Sequence, residues 1–304
     1  MSIPPLHILL HKIRETLSTL FKLNVTLDEI KLSQGLILAE LHKGESSRRL
    51  RDHEFKVFSQ WGEDGIIQYL TRVVEIRNHT FIEFGVENFF ESNCRFLMVK
   101  DDWSGFVIDG SAEKLNRLRK SHFFWKHELI ARTAFITREN INALLAESGF
   151  DEDLGILSVD IDGNDYHVLE AITGFRPRIL VCEFNTVFGP CRKISVPYAA
   201  DFQRTARHYS NLYYGASLAA LTHLAARRGY SLVGINLVNA FFVRNDLLND
   251  RLEVVTPEQV FFPSKERQSR DQQGNPTFLA GDDRLKVLRG MPVVNVETGL
   301  LETL

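Results

Sequence analysis

From Phe55 onward, short apolar runs alternate with segments whose apolar residues recur at helical spacing. Such runs are typical of buried strands, and alternation with helices is typical of βαβ units in a parallel sheet with right-handed connections. The last two runs are separated only by residues 236–239, which predicts an antiparallel hairpin at the sheet edge. The sequence therefore predicts an α/β fold: a mostly parallel seven-stranded sheet with helices on both faces. The predicted strands cover 80–85, 105–110, 127–132, 155–162, 178–185, 230–235 and 240–244.

The segment before this alternation has a different pattern. Over residues 5–43, leucine, isoleucine and phenylalanine recur every third or fourth position, which predicts helix. Thr26, with Glu29 three residues later, predicts the capped start of a second helix. The polar stretch 44–53 then predicts a boundary. We expect a helical extension over 1–50, able to support a homo-oligomer, and a main domain with a C-terminal tail over 51–304.

Composition excludes several classes of function. The net charge is −3 and no long basic run exists, so a nucleic-acid partner is not expected. Three cysteines without paired spacing predict neither a disulfide framework nor a zinc site, and favour the reducing cytoplasm. No uncharged stretch of about 18 residues exists, so no membrane span is expected.

Acidic residues stand at four of the predicted strand ends. In an open parallel sheet, ligands bind outside the carboxyl ends of the strands. One such acid is an ordinary helix N-cap, but four on one sheet favour a binding site. The turn after the first strand lacks the second and third glycines of the dinucleotide fingerprint, which disfavours a nicotinamide cofactor. The strand ends are Glu83 with Gly85, Asp109 with Gly110, Asp160 with Asp162, and Glu183 with Asn185.

Two motifs carry a resemblance to a known family. Residues 58–67, with Gln60, Glu63 and Asp64, and residues 158–166 resemble FkbM-type methyltransferases, a bacterial family with the class I Rossmann-like fold. The ends of the second and fifth strands, 109–111 and 181–185, match as well, and the similarity covers roughly 55–245. The resemblance implies direct transfer of a methyl group from S-adenosylmethionine to oxygen. The implied acceptor is a hydroxyl of a sugar, nucleotide sugar or related small molecule in carbohydrate or polysaccharide biosynthesis.

The resemblance also implies a set of cofactor contacts. Asp109 would hold the ribose hydroxyls, and Glu83 with Gly85 would line the methionine part. The segment before the first strand would close over the cofactor or acceptor; its acids are equally explained as the favourable first turn of a helix. The implied cofactor residues are Gln60, Glu63, Asp64, Glu83, Gly85, Asp109, Gly110, Ser111 and Asp160.

The acceptor is expected beside the ends of the fourth and fifth strands. Asp162, Asn164, Asp165, Glu183 and Asn185 would converge near the transferred methyl group. Either Asp162, Glu183 and Asn185 hold Mg²⁺, or the carboxylates act without metal and Asp162 or His167 takes the acceptor proton. His167 is equally explained as a packed histidine.

Two tyrosines complete the predicted acceptor side. Tyr213 and Tyr214 suit a sugar ring, or are core residues at a helix entry. Two other functions stay open at this point: a nicotinamide-dependent oxidoreductase on a similar sheet, and a non-catalytic module that binds S-adenosylmethionine or a partner.

Overall fold

The computed structural model describes residues 6–304, so the part of the predicted helix and domain that falls on 1–5 lies outside the described residues. Residues 6–304 form ten strands and ten α-helices, with short 3-10 turns between them. The strands are β1 Thr80–Phe84, β2 Ser104–Asp109, β3 Leu129–Thr133, β4 Ile156–Val159, β5 Ile179–Glu183, β6 Ile194–Ser195, β7 Tyr230–Ile235, β8 Asn239–Arg244, β9 Pro292–Asn295 and β10 Leu301–Thr303. The helices are α1 Leu6–Leu41, α2 Glu63–Val73, α3 Arg95–Asp101, α4 Ala112–Arg119, α5 Ile141–Ala146, α6 Asp165–Ala171, α7 Arg204–Arg207, α8 Leu218–Arg227, α9 Pro257–Val260 and α10 Asp282–Lys286.

Seven strands form one sheet in the order β3-β2-β1-β4-β5-β8-β7. Strands β1 to β5 pair in parallel, whereas β8 runs antiparallel to both β5 and β7. This order, with its antiparallel edge hairpin, is that of the class I Rossmann-like methyltransferase fold, and it confirms the predicted fold class. The order reverses between β1 and β4, the topological switch point where such sheets bind ligands.

Alternate residues of the strands enter two apolar layers. Ile82, Phe106 and Leu180 pack with residues of α5, α6 and α8 on one face of the sheet. Phe81 and Val107 pack with residues of α2, α3 and α4 on the other face. Because both faces are covered, the central strands β1, β2, β4 and β5 are apolar along most of their length, which is why they stand out in the sequence.

The N-terminal segment is one continuous helix rather than two. Thr26, predicted as the cap of a second helix, lies inside α1. No proline or glycine interrupts residues 6–34, so the helical hydrogen bonds continue through Thr26. Within residues 6–304, we find no helix long and apolar enough to cross a membrane.

A second, three-stranded antiparallel sheet, in the order β10-β9-β6, was not predicted. It joins β6 to the end of the chain and covers a small apolar cluster that includes Tyr213 and Val293. Strands of two to four residues carry too little alternation to be recognised by pattern. Most of the polar segment 264–283 is irregular, and α10 begins at its end.

Candidate active site

A cavity of about 580 Å³ opens at the carboxyl ends of β1, β2, β4 and β5. It therefore lies at the switch point of the sheet. Among the described residues that line it, nine carry carboxyl groups and two carry cations. The carboxyl groups belong to Glu63, Glu83, Glu87, Glu91, Asp109, Asp160, Asp162, Glu183 and Glu266, and the cations to Lys114 and Arg204.

Gly85 allows the chain to turn sharply after β1. Its φ is +69°, and a Cβ atom there would lie 1.6 Å from the carbonyl oxygen of Asp160. The glycine thus lets the ends of β1 and β4 approach each other beside the cavity.

Gly85→Ala is expected to destabilise the fold by more than about 3 kcal/mol, because strain from a positive φ and a backbone collision add together. Gly149→Ala is a matched control. It has a similar φ of +66°, but nothing in the described chain lies within 4 Å of its added Cβ. It should cost only about 1 kcal/mol. Urea unfolding of both variants measures the difference, and equal costs would contradict the close approach of the two strands.

Glu83 is buried and organises the loop between β1 and α3. Its carboxylate accepts hydrogen bonds from Asn93 N (2.8 Å), Ser92 Oγ (2.7 Å) and Cys94 N (3.1 Å). Burial raises the pKa of Glu83, although these donors oppose the rise. The carboxyl group stays at the cavity wall.

Asp109 ends β2 and holds two loops. Its Oδ2 accepts a hydrogen bond from Glu87 N and its Oδ1 one from Ser111 N, each at 2.7 Å. Each carboxylate oxygen can accept a further hydrogen bond. Apolar wall residues lie beside it: Ile108 precedes Asp109, and Ala134, Phe135 and Ile136 follow β3, where Ala134 N donates to the Asp109 carbonyl oxygen at 3.0 Å.

Glu63, at the start of α2, reaches across to the β7–β8 hairpin. Its Oε1 accepts hydrogen bonds from the side-chain amides of Asn236 (2.6 Å) and Asn239 (2.9 Å). Its Oε2 accepts one from Trp61 N at 2.8 Å. Asn239 lines the cavity, and its buried Oδ1 has no hydrogen-bond partner within residues 6–304.

Three carboxyl groups meet at the ends of β4 and β5. One oxygen each of Asp160, Asp165 and Glu183 lie within 4.8 Å of one another. Burial, and then the neighbouring carboxyl groups, raise the pKa of Asp160 and of Glu183 well above the ordinary range. Oε2 of Glu183 is buried and finds no partner in the described part of the chain. Such a pair favours a state in which the two groups share a proton.

Arg204 of α7 is a cation whose charge lowers the pKa of both Asp160 and Glu183 and so opposes part of the rise. It donates from Nη1 to Oδ1 of Asp162 at 2.6 Å and from Nε to the carbonyl oxygen of Asn211 at 2.8 Å. Its guanidinium stacks 3.6 Å from the centroid of the Tyr214 ring. Asp162 has a φ of +56°, which is rare for a residue with a side chain, and this directs the chain out of β4 into the cavity wall.

The predicted site residues are brought together in part. Those that line the cavity are Gln60, Glu63, Glu83, Gly85, Asp109, Gly110, Asp160, Asp162, Asn164, Glu183 and Tyr214. Asn164 donates to the carbonyl oxygen of Ala199 at 2.8 Å, and its buried Oδ1 lacks a partner among the residues described.

Two acids predicted to contact ligand instead shape the loops around the cavity. Oδ2 of Asp64 accepts from the backbone N–H groups of Val57, Phe58 and Ser59 and from Ser59 Oγ, at 2.7–2.8 Å. Asp165 accepts from Ile161 N at 2.8 Å and Gly163 N at 2.9 Å. Neither is in the cavity wall that the described residues form, so we assign both to loop structure.

Four further predicted residues lie behind the wall. Ser111 caps α4 by accepting from Lys114 N. His167 is buried with Nε2 2.8 Å from the Val196 carbonyl oxygen, which fits the packed histidine rather than the base. The side-chain amide of Asn185 donates to the carbonyl oxygens of Leu212 and Tyr214. The hydroxyl of Tyr213 donates to the carbonyl oxygen of Pro292. Their hydrogen-bonding groups are used within the protein.

Sequence reasoning missed three residues of the wall. Arg204 and Asn93 follow no motif, and only the fold brings them to the strand ends. Asn239 falls in the segment 236–239 that was predicted only as the turn of the edge hairpin, yet its side chain donates to Glu63. A polar pair so far apart in sequence gives no local signal.

Comparison with known proteins adds a loose structural likeness. Neither a protein-family model nor a curated protein matches the sequence. Among solved structures, the CurJ carbon methyltransferase is 10% identical (60% of this chain, 52% of that chain, TM-score 0.36). The DszA carbon methyltransferase is 13% identical (62% and 53%, TM-score 0.37). An S-adenosylmethionine-dependent methyltransferase from Clostridium acetobutylicum is 7% identical (60% and 90%, TM-score 0.39). The chain thus spans about half the length of the first two, and the fold assignment rests on its own strand order.

Proposed function

We propose that the chain is an S-adenosylmethionine-dependent methyltransferase, with residues 51–304 as the binding domain and a hydroxyl of a sugar-type small molecule as acceptor. The observation that carries the proposal is the charge of the cavity. Nine carboxyl groups against two cations attract a ligand with a sulfonium and an ammonium group and no phosphate. The FkbM-type family, carbohydrate biosynthesis and the cytoplasm stay predictions from the sequence.

The wall residues fit this cofactor. Asp109 keeps acceptor capacity for two ribose hydroxyls, and the apolar stretch Ala134–Ile136 suits the adenine ring. The unpartnered Oδ1 of Asn239, with Glu63 and Glu83, suits an ammonium group. When bound, S-adenosylmethionine supplies an electrophilic methyl group.

We place the methyl acceptor in the half of the cavity at the ends of β4 and β5. This half contains side-chain oxygens that receive no hydrogen bond from the described residues. Oε2 of Glu183 and Oδ1 of Asn164 are both buried, and the described chain supplies no partner for either. A buried unpaired oxygen is costly, and hydroxyl groups of a ligand would satisfy it. Tyr214, buried and stacked against Arg204, belongs to the same part of the wall. A polyhydroxylated molecule therefore fits this half best.

The chemistry required of the protein is alignment and removal of one proton. We assign the proton to the Asp160–Glu183 pair, because burial gives these carboxyl groups the raised pKa that suits a base near neutral pH. Arg204 stabilises the ionised form of the pair by its charge. The rigid strand ends fix the acceptor oxygen relative to the methyl group.

The predicted Mg²⁺ ligands do not fit as a set. Asp162 is paired with Arg204, and the side-chain oxygen of Asn185 accepts a hydrogen bond from Val187 N at 2.9 Å. The neighbouring Asp165 holds the backbone N–H groups of Ile161 and Gly163 and is not in the cavity wall that the described residues form. We therefore derive no step through a metal ion.

The cavity also bears on the two alternatives. A nicotinamide dinucleotide carries a diphosphate, which nine carboxyl groups would repel. A non-catalytic module would not need a buried carboxyl pair with raised pKa, since such groups are costly and cluster at functional sites.

The proposal is tested by calorimetric titration with S-adenosylhomocysteine and, separately, with NAD. We expect micromolar binding of the first and none of the second. Asp109→Ala should weaken binding about 10- to 100-fold, since hydrogen bonds to a charged group contribute about 1.5–3 kcal/mol. Glu113→Ala, an exposed acid on α4 paired with Arg117, is the matched control and should bind normally. Binding of NAD alone would overturn the proposal.

A further inference from the structure

Helix α1 exposes a long apolar stripe. Nine leucines and isoleucines, each 46–71% exposed, recur every third or fourth residue, with Gln34 as a polar interruption. This is the spacing of a coiled-coil seam. The stripe consists of Leu10, Ile13, Leu17, Leu20, Leu23, Leu27, Ile30, Ile37 and Leu41.

A different face of α1 is already used by the chain itself. A Cβ atom on Gly35 would lie 2.7 Å from the ring of Phe96, so the helix packs closely there. Leu32 joins the same apolar cluster, and Asp28 pairs with Arg95 at 2.5 Å. At 100° per residue, these positions lie nearly opposite the C-terminal half of the stripe. The stripe is 46–71% exposed along its whole length, so the protein's own domain leaves it uncovered.

Charge favours a second copy of α1 as the occupant. Residues 6–23 carry a net charge of +2, from Lys12, Arg14 and Lys22 against Glu15. Residues 24–41 carry a formal −2, from Asp28, Glu29 and Glu40 against Lys31, and still −1 when Asp28, already paired with Arg95, is left out. An antiparallel pair places each basic half beside the acidic half of its partner, and the helix dipoles also favour this direction. A parallel pair would place like charges together.

The area is also sufficient. A helix of 36 residues is about 54 Å long. If each of the nine side chains buries about 80 Å² of apolar surface, one helix contributes roughly 700 Å². That is close to the roughly 800 Å² per partner of a standard stable interface. We propose that two copies of this chain form a two-fold dimer through antiparallel pairing of α1, with the nine-residue stripe as its seam.

The first test is the mass of the full chain in solution by analytical ultracentrifugation. We expect a dimer, and expect the triple variant Leu20→Ser, Leu27→Ser, Ile37→Ser to be a monomer that still binds S-adenosylhomocysteine as the parent chain does. The matched control removes three exposed apolar residues elsewhere, Val254→Ser, Leu300→Ser and Leu301→Ser, and should stay dimeric. A monomeric parent chain would overturn the proposal. If that monomer also floated with anionic lipid vesicles in a density gradient, the stripe would be assigned to binding a membrane surface.

Direction is tested by disulfide cross-linking in a background with the exposed Cys191 changed to serine. Ile13 and Gln34 lie equally far from the middle of α1, so antiparallel helices bring one beside the other. Mixing Ile13→Cys with Gln34→Cys chains should give the mixed dimer in several-fold excess over either self-linked dimer. An excess of chains linked through residue 13 of both copies would overturn the antiparallel arrangement.

Discussion

Glu183→Gln is expected to lower kcat by about 10²- to 10⁴-fold, the usual contribution of a general base, while S-adenosylhomocysteine still binds within a few-fold. The replacement keeps the size of the side chain but cannot take a proton. Glu183 ends β5 at the cavity wall, and its buried Oε2 has no donor from the described residues. Transfer of radiolabelled methyl to the best acceptor from a screen of sugars and nucleotide sugars measures the loss.

His167→Gln is the matched control for this prediction. His167 was predicted, as an alternative to Asp162, to take the acceptor proton, but it is buried against Val196 and outside the cavity wall. We expect its replacement to leave kcat within a few-fold, after a melting measurement shows that the variant is folded. A large loss in His167→Gln with full activity in Glu183→Gln would reverse the assignment.

The pH dependence gives a second readout of the same prediction. Burial and the charge of Asp160 raise the pKa of Glu183. The pair is the stronger base once both of its carboxyl groups are ionised. Activity of the parent chain should therefore rise with pH as the pair loses its shared proton, and the apparent pKa belongs to the pair rather than to one residue. Asp160→Asn should shift this rise to lower pH, because the neighbouring negative charge is gone.

The fold could be predicted from the sequence more fully than the candidate site could. The central strands are mostly apolar because helices cover both faces of the sheet, so β1, β2, β4 and β5 were predicted within a few residues of their bounds. Ser217, a residue type that favours helix N-termini, caps α8 by accepting a hydrogen bond from Ala220 N at 3.1 Å. The helix start predicted at Thr26 was wrong, because a capping pattern begins a new helix only where the preceding helix is interrupted.

The site was less predictable, since an acid at a strand end has several uses. Asp109 ends β2 and Asp165 follows β4, and both accept hydrogen bonds from backbone N–H groups. Of the two, Asp109 alone is in the cavity wall that the described residues form. The difference depends on where the next loop folds, which involves residues far along the chain. Arg204 shows the same limit: it lies 42 residues from Asp162, and tertiary contact alone brings the two together.

Asp64→Ala is expected to remove most or all of the stability of the fold. Three backbone N–H groups, of Val57, Phe58 and Ser59, converge on one carboxylate oxygen and would lose their acceptor. Each buried unsatisfied group costs about 1–3 kcal/mol, so the sum approaches the 5–15 kcal/mol that holds a typical domain. Asp64→Asn keeps an acceptor oxygen and should unfold much closer to the parent chain in urea. Equal losses in both variants would show that the charge, rather than the acceptor, holds the segment.

The same residue links stability to pH. Burial raises the pKa of Asp64 from 3.8 to about 6, although its four hydrogen bonds oppose the rise. Because the folded state then holds the proton more tightly than the unfolded state, stability is greatest below pH 3.8 for this group and falls as the pH rises to about 6. A shift of that size corresponds to about 3 kcal/mol. Asp64→Asn should abolish this contribution, whereas the buried Asp165, whose pKa burial also raises to about 6, keeps its own. Unfolding free energies of both chains at pH 4, 5, 6 and 7 measure the slope, and an unchanged slope in Asp64→Asn would show that its carboxyl group does not titrate in this window.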